Sequence, residues 1–151
     1  MIARRRLHTQ RLVGPKFPSP VDAVAFFGAV QAQDYLASLW ALGLRVEGAT
    51  EAIIEQAIID RAIIRTWPMR GTIHFVTTED ARWLLELSAM RVEGGGSARY
   101  RELGLDGATF AQSRKVVADV LKDGRPHTRQ LLLEALDTAG ISPAGQRGIH
   151  I

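Results

Sequence analysis

Apolar residues along the first half of the 151-residue chain recur at helical spacing and then switch to strand spacing. The segment PVDAVAFFGAVQAQ has the helical period, with Ser19 as its expected N-cap, Pro20 in the first helical position and Asp22 near the positive end of the dipole. A second helix is expected from Tyr35 to Leu44. A third starts after the cap Thr50 and runs through EAIIEQAIIDR, with Ile53, Ile54, Ala57 and Ile58 as its buried stripe. The period then shortens. AIIRTWP and GTIHFVT are β-branched and aromatic runs of strand length, joined by Pro68-Met69-Arg70-Gly71 as a hairpin. A further helix, TEDARWLLELSAM, opens on Thr77 or Thr78 as cap, with acids in its first turn. Three short helices followed by a two-stranded ribbon is the order of a winged helix, a mainly α fold with short β-hairpin wings (α+β).

Past this unit the pattern breaks at EGGGSARYRELGLDG, with three consecutive glycines at 94–96. The expected organisation is therefore a first winged-helix unit over 1–92, a flexible Gly-rich connection over 93–106, and the start of a second unit over 107–151. Residues 107–122 are helical in pattern, Thr128 caps RQLLLEALDTAG, and Gly140 is its stop. The tail ISPAGQRGIHI reads as a turn and the opening of another helix. With no second hairpin, the reading is of tandem units with the second incomplete, the front part of something longer. The two helix-turn-helix patterns are too dissimilar to form a repeat.

Composition narrows the class. With 46% hydrophobic and 23% charged residues the chain has the balance of a folded protein. The absence of cysteine excludes a disulfide framework and thiolate metal sites. The basic start MIARRRLHTQRL is not followed by an apolar h-region, and no 18-residue apolar run exists, so a cytoplasmic protein with no membrane partner is expected. A net charge of +3 names no partner, but its distribution is uneven. Residues 1–16 carry Arg4, Arg5, Arg6, Arg11 and Lys16, and residues 61–76 carry Arg61, Arg65 and Arg70, all without an acid. Between them, residues 17–60 hold six acids against Arg45 alone. A phosphate backbone would favour such a polarised surface; a solubilising mixture of charges is the plainer alternative.

Several chemistries fail on spacing. His8, His74, His127 and His150 are scattered, with no carboxylate or second histidine at i+3 or i+4, so no metal site is expected. GGGS lacks the lysine and preceding strand of a P-loop, and there is no GxSxG elbow. The ribbon RTWPMRGTIHF is more informative. As a strand it puts Arg65 and Trp67 on one face, Arg70 at the tip and His74 on the returning strand, as a wing against phosphates or a minor groove requires. Trp67 packed on the core beside solvated arginines is the alternative. The third helix would expose Glu51, Glu55 and Asp60 with only Gln56 to read a base, which makes it a poor major-groove reader.

Gln31 and Gln33 raise a geometric question. On a regular helix, residues i and i+2 point about 200° apart and cannot share a target. Both can face one atom only where the helix ends or the backbone is extended. An amide is no general base near pH 7, but it can hold and aim a water molecule. That suffices where the leaving group departs readily and the electrophile is already cationic, because orientation then supplies most of the catalysis. Two helix-end amides bonded to backbone is the competing reading.

RLHTQRLVGP, VQAQDYLASLWALGLRV and IIRTWPMRGTIHFVTTEDARWLL together resemble the AlkZ-like (YcaQ-like) family of bacterial winged-helix DNA glycosylases. The resemblance covers most of residues 4–92 and extends weakly through RPHTRQLLLEAL to GQRGIH. It implies tandem winged-helix units gripping duplex DNA, and a monofunctional glycosylase of base-excision repair that removes N7-alkylated purines and, in some members, unhooks interstrand crosslinks. The family's Gln–apolar–Gln or Gln–apolar–Asp triplet falls on Gln31, Ala32 and Gln33. By that resemblance the catalytic pair Gln31 and Gln33 hold the water that attacks the anomeric carbon as the cationic purine leaves. Arg65, Trp67, Arg70 and His74 are expected to contact DNA or support the triplet. The implied partner is double-stranded DNA carrying alkylated purines, met by a monomer without metal or organic cofactor, in the nucleoid-associated cytoplasm.

Ala32 is smaller than the family's usual middle residue, and Gln33 in place of Asp resembles the subgroup linked with crosslink resistance in antibiotic producers. Asp34 is read as a solvated or capping carboxylate rather than a base. Family members continue past the equivalent of His150, so activity of these 151 residues alone is expected to be weak or absent. The rival readings are a non-catalytic winged-helix regulator and a shortened interaction module.

Overall fold

The computed structural model describes residues 1–69, 71–95 and 97–151, with backbone only for 90–95 and 97. The chain divides into two units, Met1–Val92 and Glu93–Ile151.

The first unit opens with a helix, α1 (Ile2–Thr9), that no apolar stripe announces and that buries none of its residues. Helix α2 (Pro20–Phe27) starts where expected, with the Ser19 hydroxyl accepting from the Asp22 amide at 3.1 Å. A short strand, β1 (Val30–Gln31), follows, and then α3 (Tyr35–Gly43) and α4 (Glu51–Ile59), the latter capped by Thr50. The expected ribbon is formed by β2 (Ile63–Met69) and β3 (Thr72–Thr77). Helix α5 (Thr78–Gly95) leaves directly from β3. Thr77 is its cap: the hydroxyl accepts from the Asp80 amide at 3.1 Å and donates to the Asp80 carboxylate at 2.8 Å. Thr78 instead donates its hydroxyl proton to the Arg61 carbonyl.

The fold is thus α+β, mainly helical with a β-hairpin, and winged-helix-like in element order. Strand β1 is the addition that apolar spacing did not predict. It pairs antiparallel with β3 (Val30 opposite Phe75, Gln31 opposite His74), giving a three-stranded sheet in the order β1-β3-β2. Alternation along β3 sends Phe75 to one face and Val76 to the other. On the first face Phe75 and Ile63 join Ala23, Val24, Leu39, Leu42 and Ile54 from α2, α3 and α4. On the second, Val76 packs with Ala81 and Leu84 of α5. Burial of each large aliphatic or aromatic side chain of this kind stabilises by roughly 1.5–3 kcal/mol, so the sheet is clamped from both sides.

Helix α4 buries a narrower stripe than its sequence suggests. Ile54 is fully buried and Ala57 and Ile58 are half-buried, whereas Ile53 is 45% exposed. Ile53 lies about 100° round the helix from Ile54, beyond the line that meets the core.

In the second unit a helix, α6 (Ser97–Glu102), occupies part of the stretch read as a flexible connection, and α5 itself runs to Gly95. Side-chain pairing accounts for α6. Arg99 meets Glu102 at 2.8 Å, and the Tyr100 ring packs edge-on against Phe110 at 5.1 Å. Helix α7 (Gly107–Leu121) is capped by Asp106, and α8 (Arg129–Thr138) by Thr128. Gly140 follows α8 at φ 80°, the stop expected of it. A last short helix, α9 (Arg147–His150), completes the described chain. Leu105, Leu136 and Ile141 are buried here. A Cβ on Gly148 would lie 2.6 Å from the Pro143 carbonyl oxygen, so only glycine fits that crossing. No helix among the described residues is long and apolar enough to cross a membrane.

Candidate functional site

The stretch Ala29–Gln33 is not helical because α2 is stopped one residue before it, and Val30–Gln31 within it is a strand. Gly28 adopts φ 71°, ψ −41°, a conformation costly for any side-chain-bearing residue, and turns the chain out of the helix. Beyond it the backbone joins the sheet. After the paired residues of β1, the Ala32 amide still donates to the Ile73 carbonyl at 2.9 Å. Ala32 is fully buried, packed in the cluster with Phe75 and Leu39, while Gln31 and Gln33 on either side are exposed. Gln31, in the strand, and Gln33, at the bend after it, are thus both exposed on either side of buried Ala32, and the 200° divergence of a helix does not arise.

The two glutamines are held differently. The Gln33 side-chain oxygen accepts from the Ile73 amide at 3.5 Å, a long contact that leaves its NH₂ donors without a partner among the described residues. Among the described residues, Gln31 has no side-chain partner and keeps both donor and acceptor. The backbone-bonded alternative thus fits Gln33 in part and Gln31 not at all.

Arg65 fastens the segment from across the sheet. Its Nε donates to the Ala32 carbonyl at 3.0 Å and its Nη2 to the Gln33 carbonyl at 3.3 Å. The guanidinium lies 5.6 Å from the centre of the Tyr35 ring. The Tyr35 hydroxyl donates to Glu55 Oε1 at 3.2 Å, tying α3 to α4 behind the arginine. Burial first, and then the bond to Glu55, raises the Tyr35 phenol above its ordinary range, so it stays a donor. Neither Tyr35 nor Glu55 carries a chemical signal in sequence, although Tyr35 follows the glutamines closely; only strand register reveals a cross-sheet contact to carbonyls.

The other expected contacts separate. Trp67 is 59% exposed, so it is not a core residue, and a register shift between Thr66 and Met69 separates it from Arg65, which lies opposite Phe75. His74 is 6% exposed and does not present itself at the surface as a DNA contact. Its register places it on the face where Val76 meets α5, and its Nδ1 lies 2.9 Å from the Thr72 carbonyl. A carbonyl can only accept, so Nδ1 carries the proton. The Arg70 position lies outside the described residues. Asp34 is the N-cap of α3, its carboxylate accepting from the Ala37 amide at 3.0 Å, which leaves it engaged rather than poised as a base.

On α4 the exposed residues include Glu51, Ile53, Gln56, Ile59 and Asp60, and the Gln56 NH₂ group donates to Asp60 at 2.8 Å. That face repels phosphates and offers no free amide to a base edge. Among the described residues no three His, Asp or Glu side chains gather as a metal site.

Searches of curated proteins and of solved structures find no significant match. A family model described as "DNA glycosylase AlkZ-like" matches residues 24–150, a span that includes the glutamine segment, the sheet and the helices of the second unit. On that match across most of its length, the chain belongs to the AlkZ-like family of DNA glycosylases, enzymes that act on DNA.

Proposed function

We propose that this glycosylase removes N7-alkylated purines, including those tethered in interstrand crosslinks, with Gln31 and Gln33 holding the attacking water. The observation that carries the reading is the exposure of both amides on either side of the buried Ala32, on backbone that has left the helix. An N7-alkylated purine is already cationic, so its bond to the anomeric carbon breaks without a strong acid on the leaving group. The residual task is to place a water opposite that bond. The Gln31 oxygen accepts one water hydrogen, and the NH₂ of Gln33 completes the cradle. Arg65 acts as a positioning residue: by binding the Ala32 and Gln33 carbonyls it sets the line of the segment from which both amides project. Exposed Trp67 supplies an aromatic plane for DNA. The acidic exposed face of α4 supports an enzyme over a sequence-reading regulator, which would present basic and amide groups there.

The test is base release from duplex DNA carrying N7-methylguanine, comparing the intact protein with a Gln31→Ala, Gln33→Ala double variant. Loss of release with DNA affinity retained supports the assignment. Undiminished release by the double variant overturns it.

A further inference from the structure

The cations of residues 1–16 divide into two sets. Arg11, at φ 53°, lays its guanidinium 5.3 Å from the Phe17 ring centre and 5.4 Å from that of Phe26. The Lys16 ammonium donates to the carbonyls of Arg11 (3.2 Å), Leu12 (3.0 Å) and Leu44. From the α3 side, Arg45 reaches the Gln10 side-chain oxygen at 3.4 Å. These contacts fasten the segment after α1 to the rest of the unit. Arg4, Arg5 and Arg6 do none of this work. All three are exposed, and among the described residues their side chains meet neither an acid nor a hydrogen-bond acceptor.

Helix α1 is thus built without a buried residue, although eight residues are too few for an isolated helix to be stable in water. Its spacing brings Ile2, Arg5, Arg6 and Thr9 onto one exposed face, with Gln10 at its end. The first acid of the chain is Asp22, so nothing in the segment neutralises this face. Two unpaired guanidinium forks flanking one exposed helix face suit the bidentate geometry of phosphate oxygens. Because the family acts on DNA, the polyanion at hand is the duplex backbone.

We propose that α1 is a phosphate grip: Arg5 and Arg6 hold the backbone of duplex DNA, adding affinity that is independent of sequence and of the lesion. The helix precedes residues 24–150, the span matched by the family model. The grip does not depend on how the glycosidic bond is cleaved.

The experiment measures binding of undamaged duplex DNA by fluorescence anisotropy over a range of salt concentrations, for the intact protein and for Arg5→Gln with Arg6→Gln. Gln keeps nearly the helix propensity of Arg, so α1 is preserved. Each phosphate contact contributes about 0.9 to the slope of log affinity against log salt, so the double variant is expected to flatten it by roughly 1.8. The control pair, Arg82→Gln with Arg99→Gln, removes the same charge from arginines already paired with Glu86 and Glu102, and should leave the slope unaltered. An unchanged slope for the Arg5 and Arg6 variant overturns the proposal. So does an equal flattening by the control pair, which would reduce the effect to net charge.

Discussion

Helix α4 and the non-helical segment Val30–Gln33 each carry a glutamine near a carboxylate, and they treat it in opposite ways. On α4, Gln56 and Asp60 are one helical turn apart, so the amide is satisfied at 2.8 Å by its own helix. In the non-helical segment Asp34 follows Gln33 directly, but it turns to cap α3 and gives the glutamines nothing. A helix finds local partners for its polar side chains; a strand edge sends them outward. Backbone matters here more than residue type: the amide of Gln56 is bonded within its own helix, whereas that of Gln31 has no partner among the described residues.

Breaking the comparison at its centre gives the largest effect. Removing both Gln31 and Gln33 side chains should lower base release by at least about 100-fold, the scale on which lost positioning acts. Gln56→Ala, an equal loss of amide from the helix, should leave release unchanged. Single-turnover kinetics on N7-methylguanine DNA reads both. An intermediate effect is expected from the support. Arg65→Met removes two charge-assisted bonds to carbonyls and should cost about 1.5–3 kcal/mol of stability for the pair, with roughly a tenfold loss in release. If Arg65 merely positions, DNA affinity and its salt slope stay constant; a slope lower by about 0.9 would make Arg65 a phosphate contact instead.

Smaller effects test how each backbone is held. Gly28→Ala places a side chain at φ 71° and should destabilise by about 1 kcal/mol or more in denaturant titration, because the turn that releases β1 from α2 is strained. Thr50→Ala removes the cap of α4 and should cost about 1 kcal/mol with little change in release by the folded protein, since the cap lies on the turn before Glu55.

The least effect lies at the start of α5. Hydrogen bonds from the Trp83 indole and then the Thr77 hydroxyl hold the Asp80 carboxyl below its ordinary range. A carboxyl lowered in this way lends stability above its unfolded pKa, and that contribution disappears as the pH falls through the folded one. Asp80→Asn should therefore lose less melting temperature between neutral and acid pH than the intact protein does.

Legibility in the sequence followed the range of the forces. Ser19, Thr50, Thr77 and Thr128 cap helices as their local signals promise, because a cap depends on three neighbouring residues. The hairpin was equally readable. Strand β1 was not, since two residues carry no period and their pairing comes from β3, more than forty positions away. His74 shows the same limit. Its place on the returning strand was correct, but which face α5 covers is a matter of packing.

The sequence by itself determined the element order, the caps, the unequal charge and the presence of two closely spaced amides that a helix could not aim together. Tertiary packing alone settled that Ala32 is buried between two exposed glutamines and that Arg65 reaches the Ala32 and Gln33 carbonyls. The physical reason is that side-chain direction on a strand alternates with its register. Register is set by the partner strand and the core beneath it, neither of which is local to Gln31 or Gln33.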